Sequence, residues 1–114
     1  MRKPRARLSP AAIAVVYGHG GECVRETLHA ADVDWVLQAE QLGTGHAVMQ
    51  AVPSIPDDHL VLVLYGDVPL IEPATLQALV ASAGPRSLAI LTAEFDDPAG
   101  YGRVIRDTAG RVVR

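Results

Sequence analysis

A chain of 114 residues with an apolar share of 49% is long enough for one domain with a core of its own. Lys and Arg number 10 against 13 Asp and Glu, a balance of −3 that excludes a field able to gather nucleic acid non-specifically. The lone cysteine, Cys23, excludes an internal disulfide and a multi-cysteine metal site, and it fits a reducing, cytoplasmic setting.

The first eleven residues are basic, with Arg2, Lys3, Arg5 and Arg7 crowded together. The apolar run after them, AAIAVVYG, is too short to span a membrane and is followed by a helical pattern, so the segment reads as a chain start or an exposed helix end. No membrane contact is expected. Residues 12–114 then form a body without repeats, low-complexity tracts or an interdomain linker.

That body alternates. AIAVVY, VDWVLQ, LVLVLY and LAILTAEF are short β-branched and aliphatic runs, mostly apolar throughout, as expected of strands buried on both faces of a parallel sheet. A first helix is expected between the first two, with Val24, Leu28 and Ala31 on its apolar stripe and Glu22, Arg25, Glu26 and His29 opposite. A second turns Ala47, Val48, Ala51 and Val52 inward and ends at Pro53 and Pro56. The third is the best marked: Pro73 suits a first helical position, Glu72 favours the positive end of the dipole, and Leu76, Leu79, Val80 and Ala83 share one face. GRVIRDTAGRVVR closes the chain as two strands about a turn at Asp107 to Gly110. The order predicts an α/β, Rossmann-like fold, a mostly parallel sheet with helices on both faces.

Ligands of such sheets bind beyond the carboxyl ends of the strands. The segments there are glycine-rich: Gly18 to Gly21, Gln38 to Gly45, Tyr65 to Pro69 and Gly100 to Gly102. A glycine lacks the Cβ that would hold a ligand off the backbone, and four such segments together point to a site. In QLGTGHA, the free N–H groups of Gly43-Thr44-Gly45 and the threonine hydroxyl would offer donors to a carbonyl or phosphate oxygen at the entry of the second helix. Gln38, at the end of the preceding strand, carries a donor and an acceptor on one amide, as the edge of a pyrimidine base does. Glu40 and Gln41 are expected to face water, and His46, with no second histidine at metal-binding spacing, reads as a polar surface residue.

Asp67 follows directly on the apolar run LVLVLY-Gly66, where burying it unpaired would cost several kcal/mol, on the order of the desolvation of one charge. A helix N-terminus or an arginine could meet it; so could Mg²⁺, which takes one or two carboxylates and fills its other positions with water and phosphate oxygens.

VVYGHGGE, WVLQAEQLGTGHAVMQA, LYGDVPLIEPATLQAL and DDPAGYGRVIRD are similar to consecutive blocks of the uridylyltransferase half of the bacterial GlmU family, bifunctional N-acetylglucosamine-1-phosphate uridyltransferases and glucosamine-1-phosphate acetyltransferases. The likeness runs unbroken from Ile13 to Arg114. GDxPL is shared by many sugar nucleotidyltransferases, whereas QAEQLGTGHA is much narrower. The resemblance implies that Gln38, Gly43 and Thr44 contact uracil, that Tyr65, Gly66 and Asp67 lie along the nucleotide with Asp67 on Mg²⁺, and that Gly102 touches the sugar side. The reaction implied joins UTP and N-acetylglucosamine 1-phosphate into UDP-N-acetylglucosamine and pyrophosphate, supplying peptidoglycan and lipopolysaccharide synthesis in the bacterial cytoplasm. The family assembles as homotrimers. Its glycine-rich triphosphate loop, its later metal and sugar ligands and its left-handed β-helix are absent from these residues, so the chain is expected to be an internal piece of the catalytic domain, incomplete at both ends and inactive alone. A uridine-nucleotide-binding module without chemistry and a related sugar-phosphate nucleotidyltransferase are the alternatives.

Overall fold

The computed structural model describes residues 8–113, so most of the basic leading segment lies outside the described residues. The chain divides into two compact units, residues 1–73 and 74–114.

The first unit is built on a parallel pair of strands, β1 (Ala14–Tyr17) and β2 (Asp34–Leu37), joined through helix α1 (Glu22–Leu28). Their register pairs Ala14 with Asp34 and Tyr17 with Leu37, and two flanking bonds extend the ladder, Asp34 N–H to Ile13 C=O at 2.9 Å and Gln38 N–H to Tyr17 C=O at 2.8 Å. Tyr17 and Trp35 stand two positions apart in that register and so share one face of the sheet. Their rings meet edge to face, centroids 6.1 Å apart at 75°. A slip of one residue would put them on opposite faces, so this contact holds the register.

Helix α2 (Thr44–Ala51) packs on both strands and runs into a short 3₁₀ turn, Val52–Ser54, where Pro53 ends the α-helical hydrogen bonding. Ala51 is the buried apolar side chain of the described residues, with Ala47 and Val48 half-buried beside it. The expected inward face of α2 is therefore observed, except that Val52 is exposed.

In the second unit α3 (Pro73–Ser82) starts at its proline, as the sequence predicts, and stops ahead of Gly84-Pro85. Leu76, Leu79, Val80 and Ala83 are half-buried while Gln77, Ala78 and Ala81 are exposed, which is the predicted division of faces. Residues 88–91 line a shallow groove with Thr75, Ala78, Leu79 and Ser82 of this helix. Further on, Phe95 and Tyr101 stack at 5.1 Å, 11° from parallel, around a turn closed by Tyr101 N–H to Pro98 C=O. The closing hairpin forms as one bridge, Arg106 opposite Val112, around the expected turn at Asp107 to Gly110, with Gly110 at φ 80°.

The α/β reading holds, but the sheet is smaller than expected. Residues 60–65 and 88–95 form no strand, and Leu60, Val61, Val63, Leu64, Leu88 and Ile90 keep about half or more of their surface in solvent. A strand is made by a neighbour's N–H and C=O groups as much as by its own side chains, and among the described residues these runs have no such neighbour. The α1 stripe departs as well: Val24 and Leu28 are exposed. Among the described residues no helix is long and apolar enough to cross a membrane.

Candidate functional site

The carboxyl ends of β1 and β2 and the entry to α2 converge in the first unit. Gln38 leaves β2 one residue past its end and is only 8% exposed, the buried polar side chain among the described residues. A buried amide must find partners. Its Nε2 donates to Gly43 C=O at 3.2 Å and lies 3.0 Å from Nδ1 of His46.

A carbonyl oxygen cannot donate, so the bond to Gly43 C=O fixes the nitrogen side of the amide inward. With one proton on Gly43 C=O and the other directed at His46, the NH₂ is spent inside the protein. Gln38 Oε1 accepts no hydrogen bond among the described residues, yet no buried side-chain oxygen or nitrogen is left without a partner; it therefore keeps access to solvent. The expectation from sequence is a donor beside an acceptor; here the NH₂ is engaged within the protein and the acceptor Oε1 is the group left free.

Gly43 stands at φ 95°, ψ 177°, a region open in practice to glycine alone, and that conformation swings the chain from the β2 loop into α2. Its carbonyl accepts from both Gln38 and Ala47 N–H, the latter at 3.1 Å. No side chain caps α2, so the N–H groups at Thr44, Gly45 and His46 are unclaimed by the helix. A Cβ at Gly43 or Gly45 would meet no atom within 4 Å. Gly-Thr-Gly thus gives a sharp entry to α2, with its first N–H groups free and no described atom crowding Gly43 or Gly45.

Gln41 is exposed as expected but does not simply face water. Its amide lies across the backbone of Gly18 at the end of β1, tying the two loops together. His46 is the residue that sequence reasoning missed. It is half-buried, and its two ring nitrogens face Gln38 on one side and Gln50 Nε2 at 3.2 Å on the other, with Gln50 Nε2 also donating to His46 C=O at 3.2 Å. The available signal was the i, i+4 spacing of His46 and Gln50 on a helix face directed at a buried glutamine.

Tyr65, Gly66 and Asp67 lie on a turn closed by Val68 N–H to Tyr65 C=O at 3.3 Å, and all three are exposed. The expected desolvation of Asp67 does not arise, since the run before it is not a buried strand. No hydrogen bond joins these three to Gln38, Gly43 or Thr44 among the described residues. Gly102 belongs to the second unit, beside Arg103, whose guanidinium donates to Pro98 and Tyr101 carbonyls. Among the described residues no three His, Cys, Asp or Glu side chains gather as a metal cage. Asp67 could contribute one hard oxygen donor to a cation whose other ligands are phosphate and water, which suits Mg²⁺ and would not suit zinc.

A profile of the MobA-like NTP transferase domain matches residues 4–111. The chain belongs to the MobA-like NTP transferase family. Within this NTP transferase domain fall the Gln38–Gly43–His46 cluster, Asp67 and Gly102 alike. Individual relatives are similar over nearly the same span: the bifunctional protein GlmU of Azoarcus sp. (strain BH72) is 66% identical over 102 residues, covering 90% of the chain and 23% of that relative. GlmU of Azotobacter vinelandii is 61% identical over 107 residues, covering 94% and 23%. GlmU of Stenotrophomonas maltophilia is 61% identical over 106 residues, covering 92% and 23%. The chain thus spans just under a quarter of the length of the curated relatives it matches.

Proposed function

We propose that these residues carry the base-recognition part of a sugar-phosphate uridylyltransferase that forms UDP-N-acetylglucosamine and pyrophosphate from UTP and N-acetylglucosamine 1-phosphate. One observation carries the reading: the Gln38 amide is held by its Nε2 on the carbonyl of Gly43, the residue that opens α2, which leaves Oε1 as its free acceptor a few residues along the chain from the unclaimed N–H donors of the α2 entry. The imide edge of uracil has the complementary order, an N3–H donor beside a C4 carbonyl acceptor. Cytosine reverses both groups, with an N3 acceptor and an amino donor, so it would set acceptor against acceptor and donor against donor.

The family membership and the GlmU relatives support the same reading. In it Thr44 closes over the base, Tyr65 and Gly66 follow the nucleotide, and Gly102 approaches the sugar. A phosphate oxygen of the sugar phosphate bonds to the α-phosphorus of UTP while the bond from that phosphorus to the β-phosphate oxygen breaks, releasing pyrophosphate. The protein's task is to hold the two anions in line. Asp67 would hold Mg²⁺, which supplies positive charge against the phosphate oxygens. The product would feed cell-wall and outer-envelope synthesis in the cytoplasm.

Titration with UTP and CTP, followed through the emission of Trp35 in β2, tests the base reading. UTP is expected to bind more tightly, and Gln38→Ala, which removes the acceptor, to abolish the preference. Equal affinity for the two nucleotides in the unaltered chain overturns it.

A further inference from the structure

We infer that His46 is a positioning residue that sets base discrimination by locking the amide of Gln38, an inference that rests on the base reading above. The argument is one of donors and acceptors. Gln38 is buried, and one of its amide protons is taken by Gly43 C=O. The other points at His46 Nδ1, 3.0 Å away, which must therefore be the unprotonated nitrogen of a neutral ring carrying its proton on Nε2.

The second glutamine sharpens the case. Gln50 also turns its NH₂ toward the ring, because the bond to His46 C=O fixes its orientation in the same way that Gly43 C=O fixes that of Gln38. A neutral imidazole has one acceptor nitrogen and cannot satisfy both amides. Gln38 is the more buried of the two, so its NH₂ is the costlier to leave unpaired, whereas half-buried Gln50 can turn to solvent; the acceptor nitrogen goes to Gln38. With both protons engaged, the amide cannot rotate, and Oε1 stays the free acceptor of the group. Without His46 only the bond to Gly43 C=O opposes a half-turn of the amide, so presenting NH₂ to a base costs one bond fewer and cytosine is better tolerated.

Two measurements test this. Nitrogen-15 NMR of the imidazole in the unaltered chain should show Nδ1 unprotonated and Nε2 protonated, with the Gln38 side-chain protons protected from exchange; a proton on Nδ1 overturns the lock whatever the nucleotides do. In titrations, His46→Ala should lower the ratio of UTP to CTP affinity roughly ten-fold, one hydrogen bond's worth, with CTP affinity kept or raised. His46→Asn, whose side-chain oxygen can stand near the place of Nδ1, should restore the ratio. Equal losses for both nucleotides, or no loss, overturn the positioning role. A chain with the expected tautomer that prefers neither nucleotide when unaltered overturns the base reading and the specificity role with it, while leaving the hydrogen-bond lock intact.

Discussion

Gln41 lays its amide so close over Gly18 that a β-carbon on Gly18 would come within 2.5 Å of Gln41 Nε2. The two residues belong to different loops, one leaving β1 and one leaving β2, so the contact joins the two strand ends. Because the close atom is the tip of a flexible side chain, Gly18→Ala is expected to push Gln41 into water and cost less than about 1 kcal/mol. Gly21 differs. A β-carbon there meets Gly18 C=O at 3.0 Å and the Tyr17 side chain at 3.1 Å, neither of which can swing aside. Gly21→Ala should cost about 1–3 kcal/mol. Urea unfolding followed by Trp35 emission ranks the two; a larger loss for Gly18→Ala contradicts the contact.

At Gly43 the limit is the backbone rather than space. With φ 95° and ψ 177°, any side chain there is strained by about 1–3 kcal/mol even though a β-carbon would touch nothing. Gly43→Ala should therefore destabilise the entry to α2, move the carbonyl that orients Gln38, and weaken UTP binding more than it lowers unfolding stability. Paired nucleotide titrations and urea melts of this variant give the comparison.

Helices were more legible in the sequence than strands, and the difference is physical. Pro73 and Pro53 act on their own turns, so the start of α3 and the end of α2 follow from local chemistry. Residues 60–65 are as apolar as residues 14–17, yet only the latter pair, because Ala14 to Tyr17 meet Asp34 to Leu37 and, among the described residues, the former meet no strand. In the site, Gln38 could be read from its place after β2, a polar group where burial was expected. The role of His46 could not, since it depends on an amide orientation decided by a carbonyl at Gly43.

Asp67 is the residue on which the metal reading turns. Asp67→Asn keeps the shape and removes the charge, so UTP affinity measured with Mg²⁺ should fall to the value measured with a chelator, while the preference for UTP over CTP is unchanged. An undiminished response to Mg²⁺ in the variant would assign the ion elsewhere.

The turn at Asp107 carries a pH dependence. Its carboxylate accepts from the backbone N–H groups of Arg111 and Ala109, both at 2.9 Å, and from Arg111 Nε at 2.8 Å. The Arg111 backbone bond is the main cause that holds it below the ordinary carboxylate value. A carboxyl lowered in the folded state contributes stability that is present above its unfolded value and fades as pH falls through the folded one. The turn should thus keep this contribution at neutral pH and lose it progressively as pH falls below the ordinary carboxylate range. Exchange protection of Val113 N–H, bonded to Ile105 C=O at 2.8 Å, reports the opening, and Asp107→Ala should show the open state at neutral pH.

Helix α1 stops on His29, a residue other than glycine held in left-handed backbone space at φ 40°, ψ 32°. The chain tolerates an awkward stopper where a side-chain-free residue would rest at ease. That leaves an unused margin for the protein engineer: relieving a misfit at the far end of a helix whose apolar stripe already lies bare offers a sturdier scaffold without disturbing any atom that reads the base.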